Sequence, residues 1–162
     1  MNATARHSPI ADQARVEAGN HLQATLVELI ALSLIGKQLH WNIVGPGFRE
    51  LHLELDEFVD SWRELLDEVA EREVAIGVSP NGCGPAALAS GVASPEPGQI
   101  EIAEAIHILV SRIGEVASSV RSRLEPLGEL DLGSQDVLIG VGHTLEHQLW
   151  MLRVQLPNAN TT

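Results

Sequence analysis

The sequence contains one cysteine and one lysine, and it contains no tyrosine. The single cysteine, Cys83, excludes an internal disulfide framework and a zinc cluster built from thiolates. No basic segment followed by an apolar stretch opens the chain, and no apolar run approaches the ~20 residues that a membrane span requires. These absences predict a soluble cytoplasmic protein that does not enter a membrane.

Positive charge is scarce as well. Lys37 is the only lysine, the remaining cations are arginines, and the formal net charge at pH 7 is −12. Such an acidic surface repels the phosphate backbone of nucleic acids and attracts cations. At 162 residues and 44% hydrophobic content, the chain is long enough to bury a single core without covalent staples.

Apolar residues recur at helical spacing in four long segments, and no segment has a credible strand pattern. The connection between the second and third segments, 77–98, holds four prolines and is too long for a tight turn. It is therefore predicted to run the length of a bundle between two helical hairpins. The sequence thus predicts an all-α, ferritin-like four-helix bundle over residues 16–156, between a mobile N-terminal tail, 1–15, and a short C-terminal tail, 157–162.

Residues that favour turns and helix ends mark the other boundaries between the predicted helices. A Gly-Pro-Gly turn at 45–47 separates the first two helices, and the segment 126–133 is predicted to separate the last two. Ser134 is a suitable first residue for the last helix, and Pro157 is expected to end it.

Candidate metal ligands lie at the end of the first helix, His40, and along the second helix, which contains His52, Asp56, Asp67 and Glu71. The four side chains of the second helix project toward one side, away from the apolar stripe. One alternative is a solvated acidic helix, because Asp and Glu are frequent throughout 49–73. The histidines favour a metal site: His40, His52 and Asp56 form a two-histidine, one-carboxylate set, which suits ferrous iron with open positions.

Helix geometry separates these ligands into two groups. Asp67 lies about 16 Å along the helix axis from Asp56, so the two groups cannot hold one metal within one helix. Two antiparallel copies crossing near Ser61 and Trp62 would bring them together, and a two-fold axis would create two such shared sites.

The run H-W-N-x-x-G-x-x-F-x-x-L-H-x-x-x-D-E, followed by D-x-x-x-E-R from Asp67 to Arg72, resembles the signature of the Dps family, or miniferritins. The match is close through residues 37–73. The resemblance implies a ferroxidase site, with two iron positions, between subunits of a hollow dodecamer. It places His40, His52 and Asp56 of one subunit opposite Asp67 and Glu71 of a two-fold mate. It also implies oxidation of Fe(II), preferably with hydrogen peroxide rather than dioxygen, storage of ferric mineral and protection from oxidative damage.

The tryptophans and two acidic residues receive further interpretations. In the Dps family a tryptophan at the position of Trp41 lies near the iron site and could donate electrons, although burial in the core is an equal alternative. Trp62 and Trp150 are interpreted as packing residues, Trp62 with a further place in the two-fold interface. Asp131 and Asp136 resemble acids that line an iron-entry pore, although acids are also favoured at a helix start.

Two alternatives remain besides an acidic helical scaffold without redox chemistry, which the spacing of the His, Asp and Glu residues disfavours. A ferritin-type site inside one subunit needs two Glu-x-x-His units, and the chain offers only Glu104–His107, with His143, Glu146 and His147 close together on the last helix. A nucleoid-associated DNA-binding protein with secondary iron chemistry is the other rival. The N-terminal tail carries only Arg6 and Arg15 as permanent positive charges, so DNA binding is expected to be weak or absent.

Overall fold

The computed structural model describes residues 10–156, and almost all of them lie in helices. Part of the predicted N-terminal tail and the whole C-terminal tail, including Pro157, lie outside the described residues. In chain order the elements are α1 (Asp12–Asn42), β1 (Ile43–Val44), α2 (Phe48–Ala75), α3 (Gly84–Leu88), β2 (Ile100–Glu101), α4 (Ile102–Leu130) and α5 (Leu132–Arg153).

Four long helices form one bundle, as the apolar periodicity predicts. The most extensive contacts join α1 to α2 and α4 to α5, which are the two hairpins, and α1 also packs on α4. Leucine, isoleucine and valine side chains from all four helices fill a continuous core. The ferritin-like four-helix fold is confirmed.

Close approach of α1 and α2 depends on Gly36. A Cβ atom at this position would lie 2.6 Å from a methyl group of Val59 and 2.7 Å from the ring of Trp62. Side chains of these sizes fit against α1 only because Gly36 has none. This contact fixes the α1–α2 hairpin just before His40.

The crossover between α2 and α4 is held by side chains of the bundle. Gln23 donates to the backbone oxygen of Asn81 at 3.0 Å and accepts from its backbone nitrogen at 2.7 Å. Arg112 Nε donates to the Ala93 carbonyl at 2.8 Å. The short helix α3 lies within this segment, which otherwise follows the path expected of a ferritin-like crossover.

The prediction that the chain contains no strand is wrong in one detail. Ile43 pairs with Ile100 and Val44 with Glu101 in a two-residue parallel ladder, β1–β2. The side chains of Ile43 and Ile100 are buried, so the ladder closes this end of the core. A pair of two-residue strands is too short to leave a periodic pattern in the sequence.

The predicted break between the last two helices is shorter than expected. Helix α4 continues through Pro126, which is exposed, because the following turn buries Leu127 completely. Burial of that side chain offsets the backbone hydrogen bond that proline cannot make. The cap of α5 is Asp131 rather than Ser134, since the Asp131 carboxylate accepts the backbone N–H of Ser134 at 2.9 Å.

Helix α1 is apolar and long enough to cross a membrane by length and composition alone, although its sequence contains no unbroken apolar run of about 20 residues. Most of its apolar window is buried inside the bundle. This pattern is typical of the central helix of a packed core.

Candidate metal centre

His40 and His52 meet where the α1–α2 hairpin closes. His40 occupies the last turn of α1, and His52 lies in the second turn of α2, directly after the Gly-Pro-Gly turn. Gly45 and Gly47 adopt φ values of 108° and 84°, which favour glycine, and this turn lets the two helices pack side by side. The two imidazole rings stack with their centroids 3.6 Å apart.

Reciprocal hydrogen bonds orient both rings. His40 Nδ1 lies 3.0 Å from the carbonyl oxygen of His52, and His52 Nδ1 lies 3.1 Å from the carbonyl oxygen of His40. A carbonyl can only accept, so each Nδ1 donates, and in the neutral imidazole this leaves the lone pair on Nε2. This is the arrangement by which proteins orient metal-binding histidines.

Asp56 completes a cluster in which one potential ligand atom from each of three residues lies within 4.8 Å of the others. His40 is buried, whereas His52 and Asp56 are partly exposed, so the cluster opens at the protein surface. Among residues 10–156 no other group of three or more His, Cys, Asp or Glu side chains reaches this proximity. The donor set fits ferrous iron or another divalent transition metal with open positions.

Lys37 is a member of this site that the sequence did not reveal. Its Nζ donates a hydrogen bond to Asp56 Oδ1. This hydrogen bond is the main reason that the pKa of the Asp56 carboxyl lies below its ordinary value, with further lowering by His40 and His52 against the opposing effect of burial. The signal in the sequence was the position of the only lysine three residues before His40.

The ammonium group should compete with a metal ion for Asp56. We expect Lys37→Met to bind Zn(II) at this cluster at least about tenfold more tightly, because one positive charge is removed from contact with the ligand carboxylate. Calorimetric titration of the metal-free protein measures the change in affinity. Arg49→Met is the control, because it removes an exposed positive charge from the first turn of α2 rather than from α1. Weaker binding by Lys37→Met would instead show that Lys37 positions Asp56.

Asp67 and Glu71 do not join the cluster within one chain. Both are exposed on α2, which is continuous from Phe48 to Ala75. The uninterrupted helix keeps them at least about 16 Å from Asp56, as its rise per residue requires. Their role as ligands from a second subunit therefore stays a prediction.

The tryptophans are placed differently from expectation. Trp41 is 71% exposed and Trp150 is 60% exposed, so neither is a core packing residue. Trp62 is fully buried, and its Nε1 donates to Gln148 Oε1 at 2.8 Å. Trp62 therefore cannot lie in an interface between subunits, although it packs as expected. Trp41 as an electron donor remains a prediction.

The two predicted pore residues differ in their surroundings. Asp131 caps α5 and forms an ion pair with Arg72, which together with Ser134 holds the Asp131 pKa low despite the opposing effect of burial. The helix cap and the ion pair give Asp131 a structural role. Asp136 is exposed on the first turns of α5. An iron-entry role for either residue remains a prediction.

The interior of the bundle does not hold a ferritin-type metal cluster among the described residues. Glu104, His107, His143 and His147 are all exposed. Between the helices lie instead the Trp62–Gln148 hydrogen bond and the ion pair of Arg123 with Glu28, whose N···O distances are 2.6 and 2.8 Å.

This bundle with its long crossover belongs to a known class. A family model described as a ferritin-like domain matches residues 19–161. The chain is therefore a ferritin-like protein.

Individual relatives narrow the class. A fine tangled pili major subunit from Haemophilus ducreyi is 37% identical over 86% of this chain and 74% of its own length. A DNA protection during starvation protein from Mycolicibacterium smegmatis is 32% identical over 93% of this chain and 82% of its own length. Within the ferritin-like proteins, the chain belongs to the Dps family.

Solved structures agree with this placement. Dps from Mycobacterium smegmatis superposes with a TM-score of 0.90 at 31% identity, over 95% of this chain and 94% of that one. Dps from Microbacterium arborescens in a high iron form superposes with a TM-score of 0.84 at 28% identity, over 90% of this chain and 95% of that one.

Proposed function

We propose that this protein is a ferroxidase that oxidises Fe(II), preferably with hydrogen peroxide, and stores the ferric product inside a hollow homo-oligomer. The observation that carries the proposal is the cluster of His40, His52 and Asp56, in which a hydrogen bond between each Nδ1 and a backbone carbonyl orients each imidazole. Fe(II) is a substrate of this site, and three protein ligands leave positions for a second group of ligands and an oxidant.

The second group of ligands comes from a two-fold mate. The midpoint of the proposed crossing lies between Ser61 and Trp62, and His52 stands as far before it as Glu71 stands after it. Asp56 and Asp67 are related in the same way. An antiparallel α2 pair with this register would therefore place His52 beside Glu71 of the partner subunit and Asp56 beside the partner subunit's Asp67.

Electrostatics support a cation between these groups. The partner subunit's Asp67 and Glu71 would bring two more carboxylates to a cluster in which Lys37 already pairs with Asp56, and a bound metal ion would offset this added negative charge. Asp67 and Glu71 are directed outward, because both are exposed and the buried residues Trp62 and Val69 lie on a different side of the helix. The crossing point lies near Trp62 along the axis, but the Trp62 side chain points into the bundle.

The proposed register makes an independent prediction about assembly. It pairs Asp60 with the partner's Arg63 twice about the axis, and within one chain these residues lie only 3.9 Å apart at the surface. We expect Arg63→Asp to weaken association by about 2 kcal/mol or more, because carboxylates then face each other. Sedimentation velocity over a range of protein concentrations measures the change.

The exchanged pair is the diagnostic variant. Asp60→Arg combined with Arg63→Asp should restore association, since opposite charges again face each other across the axis. Arg153→Asp, at an exposed position at the end of α5, is the matched control. Failure of the exchange to restore association would exclude this register while leaving ferroxidase activity open.

Ferroxidase activity itself is tested by adding Fe(II) without oxygen, then hydrogen peroxide, while ferric absorbance and peroxide are followed together. Two Fe(II) ions supply the two electrons that reduce one peroxide, with two protons, to two water molecules, so a 2:1 consumption is expected. The protein with His40→Ala and His52→Ala should oxidise iron no faster than buffer. Equal rates for this variant and the parent would contradict the proposal.

DNA binding as the primary function is the second candidate, suggested by the name of the Mycolicibacterium relative. The net charge of −12 opposes it, because each subunit of an oligomer repeats the same acidic surface. A gel-shift titration at low salt distinguishes the two: we expect no shift at concentrations at which the protein oxidises iron.

A further inference from the structure

A pair of histidines outside the site described above lies on α5. His143 and His147 are one helical turn apart within an uninterrupted helix from Leu132 to Arg153. At this spacing the Cβ atoms are about 5–6 Å apart on the same face. Both residues are exposed, and neither imidazole makes a hydrogen bond with any described residue.

This spacing is suited to chelation. Two imidazoles one turn apart on a helix can bind a single metal ion, which is the arrangement that helical H-x-x-x-H ligand pairs use in zinc sites. Because one rigid helix carries both ligands, little conformational entropy is lost when the second imidazole binds. Imidazole nitrogen suits copper, nickel and zinc, whereas magnesium and calcium require oxygen ligands.

The surroundings do not oppose a cation. Glu146 lies between the two histidines in sequence, and its carboxylate accepts a hydrogen bond from Arg121 at 2.8 Å. Arg121 and Glu146 neutralise each other, so the positive charge of the arginine is balanced beside the histidine pair. His143 also lines a cavity between α4 and α5, which leaves its ring accessible to solvent.

We propose that His143 and His147 form a second metal site, separate from the cluster of His40, His52 and Asp56 (the ferroxidase cluster). The site binds one divalent transition-metal ion, with affinity decreasing in the order Cu(II), Ni(II), Zn(II). Water molecules occupy the remaining coordination positions. The site is independent of the iron chemistry: its ligands lie on α5, whereas the ferroxidase ligands lie on α1 and α2.

Trp150 is a built-in reporter of this site. Its ring lies 5.6 Å from the His147 ring, centroid to centroid, and is 60% exposed. Copper(II) quenches the fluorescence of a nearby indole, so binding at the pair should quench Trp150. Trp41 lies next to the ferroxidase cluster, and Trp41→Phe removes the fluorescence signal from copper bound there.

The test is a Cu(II) titration of the assembled Trp41→Phe protein, followed by Trp fluorescence. We expect saturable quenching that a large excess of Zn(II) reverses by competition and the same excess of Mg(II) does not. His143→Ala leaves the His147–Trp150 contact in place. It should raise the apparent Kd for copper on the order of tenfold or more, because loss of a ligand costs at least as much affinity as loss of a residue that only supports a ligand. In protein that also carries His40→Ala and His52→Ala, electron paramagnetic resonance should show two coordinated imidazole nitrogens when His143 is present and one after His143→Ala.

His107→Ala is the matched control, because His107 is an exposed histidine on α4 and position 103 or 111 carries no histidine. It should leave the copper titration unchanged. Absence of quenching in the parent, an unchanged Kd in His143→Ala, or an equal loss in His107→Ala would each overturn the proposal. None of these outcomes depends on ferroxidase activity.

Discussion

Subunits carrying His52→Ala, mixed in equal amounts with subunits carrying Glu71→Ala, should recover about a quarter of the parental ferroxidase rate. The two-chain site needs His52 from one subunit and Glu71 from its mate. In a dimer of one variant with the other, one site carries both lesions and the other carries neither. Random pairing makes half of the dimers mixed, which leaves about a quarter of all sites intact.

Each variant alone should be nearly inactive, because every site in it lacks a ligand. The mixture is prepared by joint refolding or coexpression, and the initial rate of Fe(II) oxidation is compared with that of each unmixed variant. A mixture of His52→Ala with Asp56→Ala subunits is the matched control: both lesions lie on the same side of the site, so no intact site can form.

The control separates shared ligation from nonspecific rescue. Recovery in the first mixture and none in the second supports ligands from two chains. A rate in the first mixture no higher than the mean of the two unmixed variants would be the result for a site built within one chain. Full activity of the Glu71→Ala variant alone would remove Glu71 from the candidate ligands. The exchange of Asp60 and Arg63 tests the register separately. The two results together therefore show whether the register or the shared ligation is wrong.

The largest effect on stability is expected at Glu73, near the end of α2. Its side chain is fully buried, and neither carboxylate oxygen has a hydrogen-bond partner. Burial raises the pKa of Glu73 to about 7 from its ordinary 4.5. Two arginines pair with other acids instead: Arg72, on the same helix, with Asp131, and Arg123, on α4, with Glu28.

The sign of the pH effect follows from proton binding. Between about pH 4.5 and 7 the folded protein holds a proton on Glu73 that the unfolded chain has lost, so rising pH favours unfolding. The stability present below the unfolded pKa therefore falls as pH rises through the folded pKa. A difference of this size amounts to about 3 kcal/mol at alkaline pH.

Glu73→Gln should remove most of this pH dependence, since glutamine resembles the protonated carboxyl and does not ionise. We expect little change in the thermal midpoint near pH 5 and a clear increase above pH 8, measured on metal-free protein at one fixed concentration. Glu68→Gln, at an exposed position on the same helix, should leave the profile of the parent unchanged. Parallel profiles for Glu73→Gln and the parent would show that Glu73 is solvated or paired in solution.

Several features could be read from the sequence because they depend on local periodicity. Four helices follow from the recurrence of apolar residues, and the long proline-containing connection identifies the crossover. His52 and Asp56 share a face because they are four residues apart on one helix, which no packing arrangement can change. The separation of Asp56 from Asp67 is equally fixed by helix rise.

Other features required the packed structure, because they depend on contacts between residues distant in sequence. Whether a tryptophan lies in the core or at the surface is decided by neighbouring helices, which bury Trp62 and expose Trp41 and Trp150. The continuation of α4 through Pro126 depends on burial of Leu127, a gain that local propensity does not include.

The same distinction applies to the metal centre. Its ligand types and their spacing are properties of the sequence, whereas the stacking of His40 on His52 and the hydrogen bonds that free each Nε2 arise only when α1 and α2 pack together. Lys37 contacts Asp56 across that same helix pair. The sequence thus determined which side chains could bind iron, and the tertiary structure decided their tautomers and their competitor, because both are set by atoms that meet only across the hairpin.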